Sequence, residues 1–225
     1  MPGDLYVAFH ARRYAYVLQL LASYITRAEC RVLDIGRSTL TGLIARTFCV
    51  RVDSLGFPTD QESDTGRHYR FDLNDTQERT RWRCDLGQFE VIVMAEVLEH
   101  LHTSPIHVLA FLKTLLAPQG VLIIQTPNAA ALHKRLKLLV GRHPYELIRE
   151  NGPDPGHLRE YTKSELYRYA DRSGLVVERC HYENYFEYRF TPHGDVPILG
   201  LLNLAYAILP PSLKPCLTMV LRFAP

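Results

Sequence analysis

Short β-type runs alternate with helix-forming stretches along most of this chain, and the first five runs end on polar residues. Parallel strands cannot be joined by tight turns and need crossover connections, so this alternation predicts a parallel α/β sheet. An amphipathic helix is expected over Val7 to Ala28, then a first strand from Arg31 to Gly36. Ser38 is placed to cap a helix from Thr39 to Arg46. Further strands are expected near Phe48 to Asp53, near His68 to Phe71, and from Phe89 to Ala95. Ser104-Pro105 opens a helix that Pro118 and Gly120 end, and "GVLIIQ" follows as a fifth strand. Thr162 and Glu165 have capping-box spacing for a helix stopping near Gly174. "LVVERCHY" and "CLTMVLRF" complete the set, separated by an insertion.

With 225 residues, 47% of them hydrophobic and 22% charged, the chain suits one sizeable globular domain. The net charge of +2 has no long basic run behind it. Arg79, Arg81 and Arg83 read as a solvated face, which disfavours a nucleic-acid partner. Five dispersed cysteines without a CxxC pair point to reduced thiols and a cytoplasmic setting. Arg12 and Arg13 interrupt any apolar run near the N-terminus. Val196 to Leu213 carries no charge, but prolines confine its helix-capable part to Ile198–Leu209, too short to span a bilayer. That segment, 198–209, is expected to lie on something: the lid of a ligand pocket, a peripheral membrane contact, or a homodimer interface.

Open parallel sheets bind ligands at the carboxyl ends of their strands. Asp34 and Gly36 end the first run, Asp53 the second and Asp72 the third. Ala95 and Glu96 end the fourth, and Thr126-Pro127-Asn128 the fifth. Packing alone does not call for five polar endings on apolar strands.

With "VLDIG", the acid Asp53, "FDL", "EVLEHL" and "GVLIIQTPN" in this order, the sequence resembles the class I S-adenosylmethionine-dependent methyltransferases over roughly Arg31 to Arg179. "GHLREYTKSEL" resembles the subgroup of ubiquinone-pathway, sugar and natural-product O-methyltransferases. The resemblance implies a Rossmann-like, seven-stranded, mostly parallel α/β sheet with an antiparallel last strand. One domain, 1–225, would comprise an N-terminal helical cover (1–29), the core (30–183), a helical insertion (184–214) and the last strand (215–225).

It also implies a cofactor site for S-adenosylmethionine made by Asp34, Gly36, Arg37, Ser38, Asp53, Asp72, Leu73, Ala95 and Glu96. Gly36 would let backbone approach the cofactor. Asp34 would supply negative potential, Asp53 would accept both ribose hydroxyls, and Asp72 and Leu73 would meet the adenine. Where the family commonly has G-x-G-x-G, this chain has Gly36, Ser38 and Leu40. The cofactor brings no phosphate, so the loop need not cradle one, and Leu40 is expected in the helix–sheet packing.

The reaction implied is methyl transfer to the hydroxyl of a small molecule, a sugar or a lipid-linked glycan. His100, beside Glu99, is the expected base, its ordinary pKa near neutrality suiting it to an acceptor hydroxyl. Glu96, Glu99, His100 and His157 also resemble the metal site of RNA 3′-end 2′-O-methyltransferases, a set suited to Mg²⁺, Mn²⁺ or Zn²⁺. The N-terminal helix, His143 to His157 and the insertion are expected to roof the acceptor pocket, with aromatics from Tyr145, Tyr161, Tyr182, Tyr185 and Phe186. N- or C-methylation, and a binding protein that keeps only the fold, remain alternatives.

Overall fold

Val32–Ile35 forms β1, the third strand across a seven-stranded sheet, every one of its residues buried. A computed structural model describes residues 3–58, 65–150, 155–191 and 194–223. Helix α1 (Gly3–Leu21) precedes β1; α2 (Thr39–Phe48), β2 (Val52–Gly56), β3 (His68–Arg70) and β4 (Phe89–Ala95) follow. Next come α3 (Pro105–Leu115), β5 (Leu116–Pro127), α4 (Leu132–Leu139), α5 (Lys163–Arg172) and β6 (Leu175–Glu183). A two-stranded ribbon of β7 (Phe190–Thr191) and β8 (Gly194–Asp195), helix α6 (Leu201–Ile208) and β9 (Cys216–Phe223) complete the chain.

The sheet runs β3-β2-β1-β4-β5-β9-β6, parallel throughout except that β9 lies antiparallel between β5 and β6. Alternate side chains on the apolar strands serve opposite faces. Val32, Val91, Val93, Ile123 and Val220 pack under α1 and α2 with Tyr14, Val17, Leu21, Leu40 and Ile44. Leu33, Ile35, Ile92, Met94 and Ile124 pack on the other face with Phe111 and Leu112 of α3 and Leu166 of α5. Leu40 therefore fills the helix–sheet core, as its place in the loop sequence predicts.

The caps legible in the sequence are formed. Ser38 accepts from the Leu40 amide and Ser104 from the Ile106 amide, while Thr162 and Glu165 form a reciprocal capping box. Several boundaries are corrected. Helix α1 stops at Leu21 rather than Ala28, because tighter bonds from Ser23 to Leu20 and Tyr24 to Leu21 close the last turn. The strand expected from Phe48 to Asp53 instead runs Val52–Gly56. Cys49 ends α2 in the left-handed region (φ 51°), and pairing starts only where Val52 meets Val32. Strand β5 begins at Leu116, ahead of Pro118 and Gly120, and α4 and the β7–β8 ribbon are additions to the expected pattern. No helix among the described residues is long and apolar enough to cross a membrane.

Candidate active site

Strands β1 and β4 end side by side, and Gly36 follows β1 in the left-handed region (φ +80°). A Cβ there would sit 3.1 Å from Val97 Cγ2, so both backbone and space call for glycine. Its amide donates to Leu55 O at 2.8 Å, holding the ends of β1 and β2 together. Gly36, Leu55, Phe57, Asp72, Leu73, Val97 and Leu101 enclose an apolar cavity of about 70 Å³. Asp72 is tied into the rim: its Oδ1 accepts from the amide and the side chain of Asn74, whose own Oδ1 accepts from the His102 amide. Leu73 is buried beneath it.

Asp34 is buried and accepts from Thr41 Oγ1 at 2.5 Å, fastening α2 to the end of β1. Burial pushes its carboxyl up to about 7, with the Thr41 hydroxyl and Arg13 opposing the shift. Ser38, whose amide donates to Thr41 Oγ1, completes the same turn.

Asp53 is not brought to this cleft. Its register opposite Leu33 sets it at the start of β2, at the opposite edge from Gly36. There its carboxylate accepts from Arg51 Nε, the Arg67 amide and the Tyr69 hydroxyl, which fixes the β2–β3 pair. The chain leaves β2 through Gly56 and Phe57, so this exit presents no carboxylate through Pro58. Moving the strand by three residues is what removes Asp53 from the ribose position expected of it.

Ala95 closes β4 and Glu96 follows with φ 57°, a strained setting for a non-glycine residue, of the kind that clusters at functional sites. The turn aims its carboxylate at Arg13 of α1, Nη1 to Oε2 4.0 Å apart, both groups largely shielded from solvent. Burial raises the Glu96 pKa while Arg13 and Lys134 pull it down. Glu96 Oε1, Arg13 Nε and Arg37 Nη2 are buried without hydrogen-bond partners. The facing, incompletely satisfied Arg13 and Glu96, charges of both signs at one turn, fit a zwitterionic ligand such as the amino-acid end of S-adenosylmethionine. Arg13 is a residue sequence reasoning missed, since one arginine on an amphipathic helix carries no distinguishing signal.

Glu99, His100 and His157 converge next to this turn, one ligand-type atom from each lying within 4.8 Å of the others. Glu99 is buried; its Oε2 accepts from Thr126 Oγ1 at 2.9 Å and its Oε1 has no hydrogen bond. Burial, reinforced by Glu96, pushes its carboxyl well above the usual range. Its backbone oxygen accepts from the Leu158 and Arg159 amides, which pulls the "GHLREY" segment against the loop after β4.

The two imidazoles meet edge to face at 4.9 Å. His100 Nδ1 lies 2.9 Å from Gly156 O and His157 Nδ1 3.1 Å from Glu160 Oε1, so both Nδ1 atoms serve as donors, and in the neutral form of each ring Nε2 is the basic nitrogen. Burial and the neighbouring His100 lower His157 to about 4. Glu160 is buried and also pairs with Lys134, whose pKa burial lowers to about 8. Lys134 and Glu160 were absent from the expected set, although Glu160 stands three residues after His157. Of the four expected metal ligands the structure gathers three; Glu96 turns away to Arg13.

The expected aromatic roof is only partly present. Tyr161 and Tyr185 are core residues, each 1% exposed, and Tyr185 bonds Thr218 of β9. Phe186 stacks on Phe9 at 5.0 Å, joining the insertion to α1, and Tyr182 lines a groove beside Lys163 and Tyr167. Tyr145 shares a cavity of about 570 Å³ with His143, Glu146, Ile148, His157 and Glu160.

The strand order and the cleft at the ends of β1 and β4 define a Rossmann-like methyltransferase fold. The chain belongs to the methyltransferase-domain family, whose model matches residues 6–179. Among solved structures it is similar to a SAM-dependent methyltransferase from Archaeoglobus fulgidus (14% identity, TM-score 0.58, 92% of this chain and 93% of that one). The 1,6-didemethyltoxoflavin-N1-methyltransferase of Burkholderia thailandensis, solved with S-adenosylhomocysteine, aligns at 16% identity and TM-score 0.54 over 99% of this chain and 86% of that one. The CcbJ methyltransferase of Streptomyces caelestis aligns at 14% identity and TM-score 0.58, covering 96% and 90%. No curated protein matches the chain.

Proposed function

We propose that this protein transfers the methyl group of S-adenosylmethionine to an acceptor hydroxyl held near His100 and His157. The observation that carries the reading is the convergence of Glu99, His100 and His157 beside the Glu96 turn, with the Nδ1 atoms of both imidazoles anchored. The sulfonium is already activated, so the chain's work is alignment and removal of one proton. Gly36, Arg13, Arg37 and Glu96 would hold the methionine and ribose parts, with Asp72 and Leu73 at the adenine. His100 takes the acceptor proton on Nε2 while Gly156 O steadies the resulting imidazolium through Nδ1. Glu160 orients His157 in the same manner. The acceptor class that suits the Tyr145 cavity is a sugar or an amphiphile with a polar hydroxyl head. Incubation with methyl-labelled cofactor and a panel of hydroxylated acceptors tests this; label appearing only on nitrogen acceptors would overturn the oxygen assignment.

A divalent cation is a second element of the reading, favoured by the same convergence. Glu99, His100 and His157 would hold it, and the Nδ1 anchors are the outer-shell bonds that metal-binding histidines require. It would supply Lewis acidity that lowers the acceptor hydroxyl's pKa. Activity that survives exhaustive chelation removes the cation and leaves the histidines as bases.

A binding protein without catalysis is the rival, favoured by the exit from β2, which among the described residues through Pro58 carries no carboxylate. Failure of the folded chain to bind the cofactor would establish it.

A further inference from the structure

Helices α4 and α6 are amphipathic in the inverted sense. On α4 the residue turned inward is Lys134, 5% exposed, bonded to Asn128 O and Glu160. On α6 the inward residues are Asn203, 8% exposed and bonded to Asn184 and Glu187, and Tyr206. The outward faces carry Leu136, Leu139 and Val140 on one side and Leu201, Leu204 and Ile208 on the other, with Leu139 80% and Ile208 87% exposed. Water outside would select the opposite arrangement. The helices meet where His133 Nδ1 lies 3.0 Å from the Tyr206 hydroxyl, so their outward faces flank that contact.

Charge decides what covers this region. Ala129 to Tyr145 contains Lys134, Arg135, Lys137 and Arg142 and no acid, and Val196 to Leu213 contains no charge at all. Exposed leucines bordered by cations, in two segments that themselves carry no carboxylate, complement the surface of an anionic bilayer. A second copy of the same cationic surface would meet it with like charge.

We infer that α4 and α6 form a docking surface for an anionic lipid membrane, with the leucines seated among the acyl chains and Arg135, Lys137 and Arg142 at the headgroups. The inference goes beyond methyl transfer and does not depend on it. It places the Lys134–Glu160–His157 chain directly behind the docked helix, so acceptors carried in the bilayer reach the histidines from that side.

Flotation of the full chain with phosphatidylcholine vesicles, with and without about a quarter phosphatidylglycerol, tests it. Binding to the anionic vesicles is expected, weaker on phosphatidylcholine alone and reduced by salt. The double variant Leu139→Glu/Ile208→Glu, both sites exposed in the fold, is expected to lose binding to either vesicle. Lys137→Glu/Arg142→Glu should lower only the anionic component, by roughly tenfold or more at about 1 kcal/mol per cation. Cofactor titration and thermal melting of the same variants show that they remain folded. Protein that stays in the soluble fraction with every vesicle overturns the inference. So does a dimer by light scattering that Leu139→Glu/Ile208→Glu converts to monomer, since the leucines would then cover a second copy.

Discussion

The guanidinium of Arg13 faces the carboxylate of Glu96 across the gap between α1 and the end of β4, 4.0 Å apart and largely out of solvent. Each retains an unpaired buried atom, Nε of one and Oε1 of the other. Two opposite charges this close to hydrogen bonding, yet incompletely satisfied, leave room for a ligand that bears both signs. Arg13→Ala is expected to weaken S-adenosylmethionine binding by about 1.5–3 kcal/mol, the worth of charge-assisted hydrogen bonds. Asp53→Ala, at the far edge of the sheet, should leave it unchanged in the same calorimetric titration.

That contrast shows where the sequence was legible. Caps at Ser38, Ser104 and Thr162, and the buried run Phe89–Ala95, are local patterns and form as read. Asp53 is different because strand register is not local. The left-handed Cys49 delays the strand, and only pairing with Val32 decides where it begins. The cleft's charges were half legible. Glu96, Glu99 and His100 sit in one six-residue stretch, whereas Arg13 and Lys134 join them through helix packing that no spacing along the chain reveals. The inverted faces of α4 and α6 were likewise hidden, because a run of leucines and lysines reads the same whichever side turns inward.

The histidine pair separates binding from catalysis. His100→Ala and His157→Ala should each lower kcat, the former by about 10²–10⁴, the range of general-base contributions, while cofactor affinity stays intact. Glu160→Gln acts through His157, so it should lower kcat less and displace the pH profile, with KM for the acceptor unchanged. Equal losses of cofactor binding in all three would mean a structural role instead.

Asp34 gives stability a pH signature. Its carboxyl ionises near 7 in the folded chain against 3.8 ordinarily. Between those values the native state holds a proton that the unfolded chain has released, so this group's contribution to stability falls as pH rises from about 4 to about 7 and stays low above. Asp34→Asn keeps an acceptor for Thr41 and cannot ionise. Its unfolding free energy relative to the parent chain, read by chemical denaturation, should rise across that window, by an amount on the order of a few kcal/mol at pH 8. A constant offset from pH 4 to pH 8 would contradict the raised pKa.

Gly36→Ala confronts both a φ of +80° and Val97 Cγ2 at 3.1 Å. Destabilisation of about 1–2 kcal/mol is expected from the left-handed backbone alone. Chemical denaturation reads it directly, and a neutral substitution would contradict the close approach of these two loops.

The account stands on cofactor binding at the ends of β1 and β4. Titration of the folded chain with S-adenosylmethionine by calorimetry, run in parallel on Arg13→Ala, measures that most directly. The account predicts one site with roughly micromolar affinity, about −8 kcal/mol, weakened in the variant. No heat of binding from a chain that still melts cooperatively, or the same affinity with and without Arg13, would contradict it.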